Sequence, residues 1–124
     1  MSTVLLVEDD EFSREIYATY LSRVGHDVLL AADGESGVAI ARARRPDMVL
    51  MDLSLPGIDG YAATSMLKTD DRTRDIPVVA LTGRALEGER LRASQAGCDG
   101  FLAKPMTPKQ LAEEVRVFLA QRAD

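Results

Sequence analysis

The chain has 124 residues, of which 46% are hydrophobic and 28% are charged, a composition typical of one globular domain with its own core. Its formal net charge of −5 argues against nucleic-acid binding through a basic surface. We expect no membrane span, because no apolar run is long enough to cross a bilayer, and we expect no secretory or lipidation signal. The one cysteine, Cys98, excludes an internal disulfide and fits a reducing compartment, so we expect a cytoplasmic location.

Five short apolar runs alternate with five amphipathic segments along the chain. The apolar runs predict β-strands at residues 4–7, 27–31, 48–51, 77–81 and 100–103. Successive strand–helix units predict an α/β fold, in which a parallel sheet with right-handed crossovers carries helices on both faces.

The first and last helices each show one apolar face. Gly25 follows the first helix as a stop signal. Thr107 is a suitable N-cap for the last helix, with Pro108 in its first turn. The apolar positions are Tyr17, Tyr20, Leu21 and Val24 in the first helix, and Leu111, Val115, Phe118 and Leu119 in the last.

Of the three helices in the middle of the chain, the fourth has the weakest signal. Asp33 and Asp59 are placed to cap the second and third helices. The stretch at residues 68–75 is highly charged and is predicted to be a solvated loop. The fourth helix, at residues 86–96, has few apolar residues beyond Leu86 and Leu91. A helix that buries little is weakly anchored, so this one is a candidate for the part that moves.

Polar side chains follow four of the five predicted strands. Glu8 and Asp9 follow the first strand, Asp52 ends the third, and Thr82 and Lys104 follow the fourth and fifth. Because the carboxyl ends of parallel strands meet at one edge, where such sheets bind ligands, we expect these side chains to lie together. Three neighbouring acids repel one another unless a cation lies among them. Oxygen ligands suit Mg²⁺, so the sequence predicts a magnesium site.

The chemistry that this set favours is phosphoryl transfer onto a carboxylate. Asp52 would be the nucleophile, and attack by a carboxylate needs no general base. Mg²⁺ and Lys104 would neutralise the incoming phosphoryl charge, and Thr82 would donate a hydroxyl to a phosphoryl oxygen. Taken singly, Thr82 could be only a strand-end hydroxyl and Asp10 only a first-turn acid that favours the helix dipole.

Four motifs stand at the predicted strand ends: Val-Glu-Asp-Asp at 7–10, Met-Asp-Leu-Ser-Leu-Pro-Gly at 51–57, Ala-Leu-Thr-Gly at 80–83 and Ala-Lys-Pro at 103–105. In order and spacing, the chain resembles the receiver domain of bacterial response regulators over essentially its whole length. The resemblance implies a flavodoxin-like, doubly wound sheet with strand order 2-1-3-4-5. Residues 76–82 and 97–98 further resemble stand-alone receivers of the DivK type.

The resemblance also implies the roles of the site residues. Asp52 would accept a phosphoryl group from a phosphohistidine of a histidine kinase or a histidine phosphotransfer protein. Glu8 and Asp9 would hold Mg²⁺ together with Asp52 and the backbone carbonyl of Ser54. Lys104 would pair with the phosphoryl group, and its peptide bond to the following proline is typically cis in this family.

Two further residues are expected to act as the switch, and two to tune rates. Thr82 would move toward the phosphoryl group and Phe101 would turn inward behind it. The family often has Tyr at this last position, so a switch at Phe101 would depend on packing alone, and a plain core role is equally open. Ser54 and Arg84 flank the expected pocket mouth, where the family tunes phosphorylation and hydrolysis, although Arg84 could be only a solvated charge.

The leading hypothesis is a stand-alone response regulator of two-component phosphorelay signalling. The chain ends at Asp124 directly after the last helix, so we expect one receiver domain at 1–124 without an output domain. Its expected partners are the phosphodonor protein and a downstream protein target that binds the face made by helix four, strand five and helix five. A monomer or weak dimer is expected. The alternative is a relay intermediate that passes the phosphoryl group onward.

Two other classes remain open. A phosphatase that forms an aspartyl phosphate is a remote alternative, because its nucleophile is expected in an Asp-x-Asp pattern after the first strand. A receiver that binds partners without phosphorylation is the other, and the intact set of pocket residues disfavours it. As a phosphoacceptor, the chain is expected to catalyse only its own phosphorylation and dephosphorylation.

Overall fold

A computed structural model describes residues 2–83 and 87–122. Within these ranges the strands are β1 (Thr3–Val7), β2 (Asp27–Ala31), β3 (Met48–Asp52), β4 (Val78–Thr82) and β5 (Gly100–Ala103). The helices are α1 (Glu11–Arg23), α2 (Gly34–Arg44), α3 (Gly60–Lys68), α4 (Glu87–Ala96) and α5 (Pro108–Arg122). All strand pairs are parallel, in the order β2-β1-β3-β4-β5. The predicted fold class and strand order are confirmed. Across the described residues, no helix has the length and apolar character needed to cross a bilayer.

The central strands extend one residue further than the apolar pattern predicts. β3 ends at Asp52 and β4 ends at Thr82, so both polar residues belong to the sheet. The ladder pairs Asp52 with Leu81, and it continues with a hydrogen bond of 3.0 Å from the Leu53 N–H to the Leu81 carbonyl. A backbone ladder does not depend on side-chain polarity, which is why an apolar pattern alone ends these strands too early.

Two apolar cores lie on opposite faces of the sheet. One lies beneath α1 and α5, and the other beneath α2 and α3. The helices contribute Tyr17, Leu21, Leu111 and Val115 to the first core, and Val38, Ala41, Ala63 and Leu67 to the second. Helices cover both faces of the sheet, so polar groups that bind a ligand are expected at the carboxyl ends of the strands.

The helix starts follow the predicted capping pattern. Asp33 and Asp59 cap α2 and α3 by accepting hydrogen bonds from backbone N–H groups three residues ahead. Asp10 does the same for α1, which specifies the first-turn role expected for it. Thr107 caps α5 reciprocally: its hydroxyl accepts from the Gln110 N–H at 3.0 Å, and its own N–H donates to the Gln110 side chain at 2.8 Å.

Two predictions about burial are wrong. Val24 does not belong to the apolar face of α1, because the helix ends at Arg23 and Val24 is 50% exposed. The stretch at 68–75 is not uniformly solvated, because Thr73 is buried and its hydroxyl donates to the Leu67 carbonyl at 2.7 Å. Lys68, moreover, is the last residue of α3.

α4 buries little, as its composition predicts. Ala93 is its buried residue, and Leu91 is 59% exposed. Leu86, the predicted first residue of this helix, lies outside the described residues. A helix with this little apolar contact depends on polar contacts with its neighbours.

Candidate functional site

Three carboxylates converge at the carboxyl edge of the sheet. Oxygen atoms of Glu8, Asp9 and Asp52 lie within 4.8 Å of one another. Glu8 is 1% exposed and Asp52 is 5% exposed, whereas Asp9 is exposed. The parallel strands position them, because Glu8 directly follows β1 and Asp52 ends the neighbouring β3. The predicted acidic cluster is present.

A close backbone contact holds Asp52 from the other side. The start of α3 packs so tightly on the end of β3 that a Cβ atom on Gly60 would lie 2.2 Å from the Asp52 carbonyl oxygen. The Gly60 N–H also donates to the Leu53 carbonyl at 3.3 Å. Only a residue without a Cβ fits here, so α3 directly limits the movement of the Asp52 backbone.

Lys104 brings a cation to the acids. Its Nζ donates to Glu8 Oε1 at 2.7 Å and lies 3.4 Å from Asp52 Oδ2. Its own N–H donates to the Thr82 carbonyl at 2.7 Å, which ties the end of β5 to the end of β4. The peptide bond that follows, Lys104-Pro105, is cis, as the resemblance implied.

The two buried acids differ in their readiness to ionise. Burial first, and then the neighbouring Asp52 carboxyl, raise the pKa of Glu8 to about 7, although Lys104 opposes the shift. Burial also opposes ionisation of Asp52, but the Glu8 carboxyl, the Ser54 N–H and Lys104 together hold its pKa below the ordinary value. The pair thus favours a negative charge on Asp52, with Glu8 holding the proton more readily.

The donor set fits a hard divalent cation. Oε2 of Glu8 is buried, and within the described part of the chain it has no hydrogen-bond partner. An unsatisfied buried carboxylate oxygen is costly, and a cation among the three carboxylates would satisfy it. Carboxylate oxygens, with the open side at exposed Asp9, match Mg²⁺, which keeps several of its own waters.

Two further predicted residues, Thr82 and Ser54, lie next to Asp52 in the sheet and in the chain. Thr82 is buried at the end of β4, one position beyond the partner of Asp52 in the sheet register. Ser54 has an exposed side chain and donates its N–H to Asp52 Oδ1 at 2.8 Å. Arg84 lies outside the described residues, so its expected role in rate tuning stays a prediction.

Phe101 has the partly buried position that a core role predicts, and its role as a switch stays a prediction. It is half-buried in β5 and packs against a small core cluster that includes Tyr61 of α3 and Ala93 of α4. The Arg90 guanidinium lies over its ring, 4.7 Å from the centroid. Phe101 is therefore a contact between β5 and α4.

Sequence reasoning missed two α1 side chains that reach the site. Arg14 donates through Nη1 to the Glu8 carbonyl at 2.8 Å and to the Asp9 carbonyl at 3.4 Å. The Tyr17 hydroxyl donates to the Met106 carbonyl at 3.1 Å, although the sequence assigned Tyr17 only a packing role. Their targets are backbone carbonyls, which leave no mark in a residue pattern.

Comparisons with known proteins agree with this arrangement. A family model for the response regulator receiver domain matches residues 4–116. The polar-differentiation response regulator DivK of Brucella anthropi is 33% identical over 117 residues, which cover 94% of this chain and 95% of that protein. The predicted resemblance to receivers of the DivK type is confirmed.

Solved structures give the same result. A putative response regulator from Chloroflexus aurantiacus superposes with a TM-score of 0.89 at 32% identity, covering 96% of this chain and 98% of that one. The receiver domain of the sensor histidine kinase PA1611 from Pseudomonas aeruginosa superposes with a TM-score of 0.88 at 36% identity and the same coverage. That structure has a magnesium ion coordinated in its active-site cleft.

Proposed function

Because the chain belongs to the family of response regulator receiver domains, we propose that Asp52 is its phosphoacceptor. The donor is a phosphohistidine of a histidine kinase or a histidine phosphotransfer protein. The observation that carries the proposal is the contact of Lys104 with Glu8 and Asp52 in one pocket with a third acid, Asp9. The chain is a phosphoacceptor module in two-component signalling rather than a classical enzyme.

The proposed transfer is a displacement at phosphorus. A carboxylate oxygen of Asp52 attacks, a new P–O bond forms, and the P–N bond to the donor imidazole breaks with its electron pair going to nitrogen. The lowered pKa of Asp52 keeps the nucleophile ionised at neutral pH. The Ser54 N–H orients one carboxylate oxygen, and Lys104 supplies positive charge where the phosphoryl oxygens would lie.

Mg²⁺ is part of the proposal. Glu8, Asp9 and Asp52 would hold it, together with the backbone carbonyl of Ser54. When bound, the ion would supply positive charge to the phosphoryl oxygens. Glu8 must give up its proton to serve as a ligand, and its raised pKa makes that step sensitive to pH near neutrality.

The proposed switch is the face made by α4, β5 and α5, with Thr82 and Phe101 as its moving side chains. Support comes from the way α4 is held. Ala93 is the buried residue of α4, and polar contacts also hold the helix, such as the 2.5 Å hydrogen bond that the Tyr61 hydroxyl donates to Glu89. Breaking and remaking polar contacts costs less free energy than disrupting a packed apolar core. Phosphorylation can therefore shift the equilibrium between two conformations of this face. Ser54 and Arg84 remain the proposed rate-tuning positions.

The proposed output is binding to a downstream protein, with onward transfer of the phosphoryl group as the alternative. The similarity to the polar-differentiation response regulator DivK, of which this chain covers 95%, supports a signalling role. We also propose a cytoplasmic location. Burial raises the pKa of the lone Cys98 thiol, so this thiol stays protonated and is a poor nucleophile.

Phosphotransfer from a panel of phosphorylated histidine kinases and phosphotransfer proteins in Mg²⁺ tests the proposal. We expect Asp52→Ala to abolish labelling. Asp71→Ala, which removes an acid whose side chain is 91% exposed, should label as the parent does. Labelling that survives Asp52→Ala unchanged contradicts the proposal. Fast return of label to a phosphotransfer protein would identify the relay alternative.

A further inference from the structure

We propose that Arg14 and Tyr17 are positioning residues, which hold the acidic loop and the lysine loop of the site in register on α1. The acidic loop is defined here as residues 8–10 and the lysine loop as residues 104–106. The inference rests on the proposed function, because it assigns these two side chains to the metal and phosphoryl chemistry of that site.

The acidic loop is held from both ends and by Arg14 in between. The Glu8 N–H donates to the Ala31 carbonyl at 3.0 Å, and Asp10 caps α1. The carbonyls of Glu8 and Asp9 accept from Arg14 at 2.8 and 3.4 Å. Nη1 of Arg14 makes a short hydrogen bond to the first carbonyl and a longer contact with the second, so it restrains the peptide between them, from which both carboxylate side chains extend.

The lysine loop is held in a similar way. The Lys104 N–H bonds the Thr82 carbonyl at one end of the loop. The Tyr17 hydroxyl bonds the Met106 carbonyl at the other end, at 3.1 Å. Tyr17 is 8% exposed and packs in the core beneath α1 and α5, so its ring is fixed while its hydroxyl reaches the loop.

The two positioning residues lie three positions apart on α1, on neighbouring turns of the same face. The helix therefore sets the separation of the two loops, across which Lys104 Nζ meets Glu8 Oε1 at 2.7 Å. If Arg14 acted only through its charge, its replacement would change Mg²⁺ affinity in the opposite direction from that expected if it positions the loop. A cation near the site repels Mg²⁺, so loss of charge alone would tighten metal binding, whereas loss of loop position would weaken it.

Calorimetric titration of the protein with Mg²⁺ alone, without a phosphodonor, tests the role of Arg14. We expect Arg14→Met to weaken Mg²⁺ binding by about tenfold, in the range seen when a group that orients a metal ligand is lost. Arg14→Lys should recover part of the affinity. Arg23→Met removes a charge from the last turn of the same helix and should bind as the parent does. Arg14→Gln, which keeps one donor, replaces Arg14→Met if that variant fails to fold, and should weaken binding at least threefold.

Phosphorylation by acetyl phosphate tests Tyr17, because a small donor needs no protein docking. We expect Tyr17→Phe to lower the maximal rate about fivefold, as loss of one hydrogen bond predicts, and to leave Mg²⁺ affinity within twofold. Tyr20→Phe, which removes a hydroxyl that has no hydrogen bond within the described residues, should change neither quantity.

The outcomes separate this inference from the proposed function. Tighter or unchanged Mg²⁺ binding by Arg14→Met and Arg14→Gln would overturn the role of Arg14. A Tyr17→Phe rate equal to that of Tyr20→Phe would overturn the role of Tyr17. Labelling that persists in Asp52→Ala would instead overturn the proposed function, while the Mg²⁺ titrations would still decide the role of Arg14.

Discussion

Replacing Lys104 by methionine should destabilise the metal-free protein at pH 8 and leave it nearly as stable as the parent once Mg²⁺ is added. The Lys104 side chain is 23% exposed and its Nζ lies 2.7 Å from the buried Glu8 and 3.4 Å from Asp52. Without it, the acids face one another with no cation between them. Methionine retains most of the apolar stem, so the change acts mainly on charge.

The expected magnitude follows from burial. Breaking a buried ion pair costs about 3–5 kcal/mol, and the partial exposure of Lys104 favours the lower end. A chain of this size loses roughly 3–5 °C of Tm per kcal/mol, so the metal-free variant should melt about 10 °C below the parent. Mg²⁺ replaces the missing charge, so it should raise the Tm of the variant more than that of the parent.

Lowering the pH should also reduce the difference in unfolding free energy between Lys104→Met and the parent. With a pKa of about 7, Glu8 binds a proton more tightly in the folded state than in the unfolded chain, where its pKa is about 4.5. Protonation at pH 6 removes one of the unpaired charges, so the loss caused by Lys104→Met should be smaller at pH 6 than at pH 8.

The assay is thermal and urea unfolding at pH 6 and pH 8, with and without Mg²⁺. Lys68→Met is the matched control, because Lys68 is also partly buried and pairs with Asp99 at 2.7 Å, away from the acidic cluster. Its loss should cost about the same in all four conditions. A loss in Lys104→Met that neither Mg²⁺ nor acid reduces would refute the reasoning.

Two further predictions concern backbone packing and proton release. Gly60→Ala should destabilise the protein by about 2 kcal/mol or more, because the added Cβ would overlap backbone atoms. Gly88→Ala is the control: a Cβ at this position has no described atom within 4 Å, so the change should be neutral or stabilise the protein by up to about 1 kcal/mol. Equal urea midpoints for the two variants would contradict the close approach of Gly60 to the end of β3. Mg²⁺ affinity should rise with pH up to about tenfold per unit below pH 7 and level off above it, since Glu8 must lose its proton. Titration in buffers of different ionisation enthalpy should show about one proton released at pH 6, and a pH-independent affinity would exclude Glu8 as the titrating ligand.

Much of this protein could be predicted from local signals. The alternation of apolar runs with amphipathic segments predicted the five strands and a parallel sheet with helices on both faces, and capping residues such as Asp33 and Thr107 marked the helix starts. The convergence of Glu8, Asp9 and Asp52 was also predictable, because parallel strands place their carboxyl ends at one edge. These features depend on sequence spacing, and spacing is preserved when the chain folds.

Tertiary structure alone decided how the site is held. The proton preference between Glu8 and Asp52 depends on burial and on the two distances to Lys104, which no motif encodes. The hold of Arg14 on the acidic loop depends on a side chain meeting backbone carbonyls, and every residue has a carbonyl, so no residue type marks the target. Sequence can name the residues that meet at a sheet edge, but charge balance and loop position arise only from the packing that brings them together.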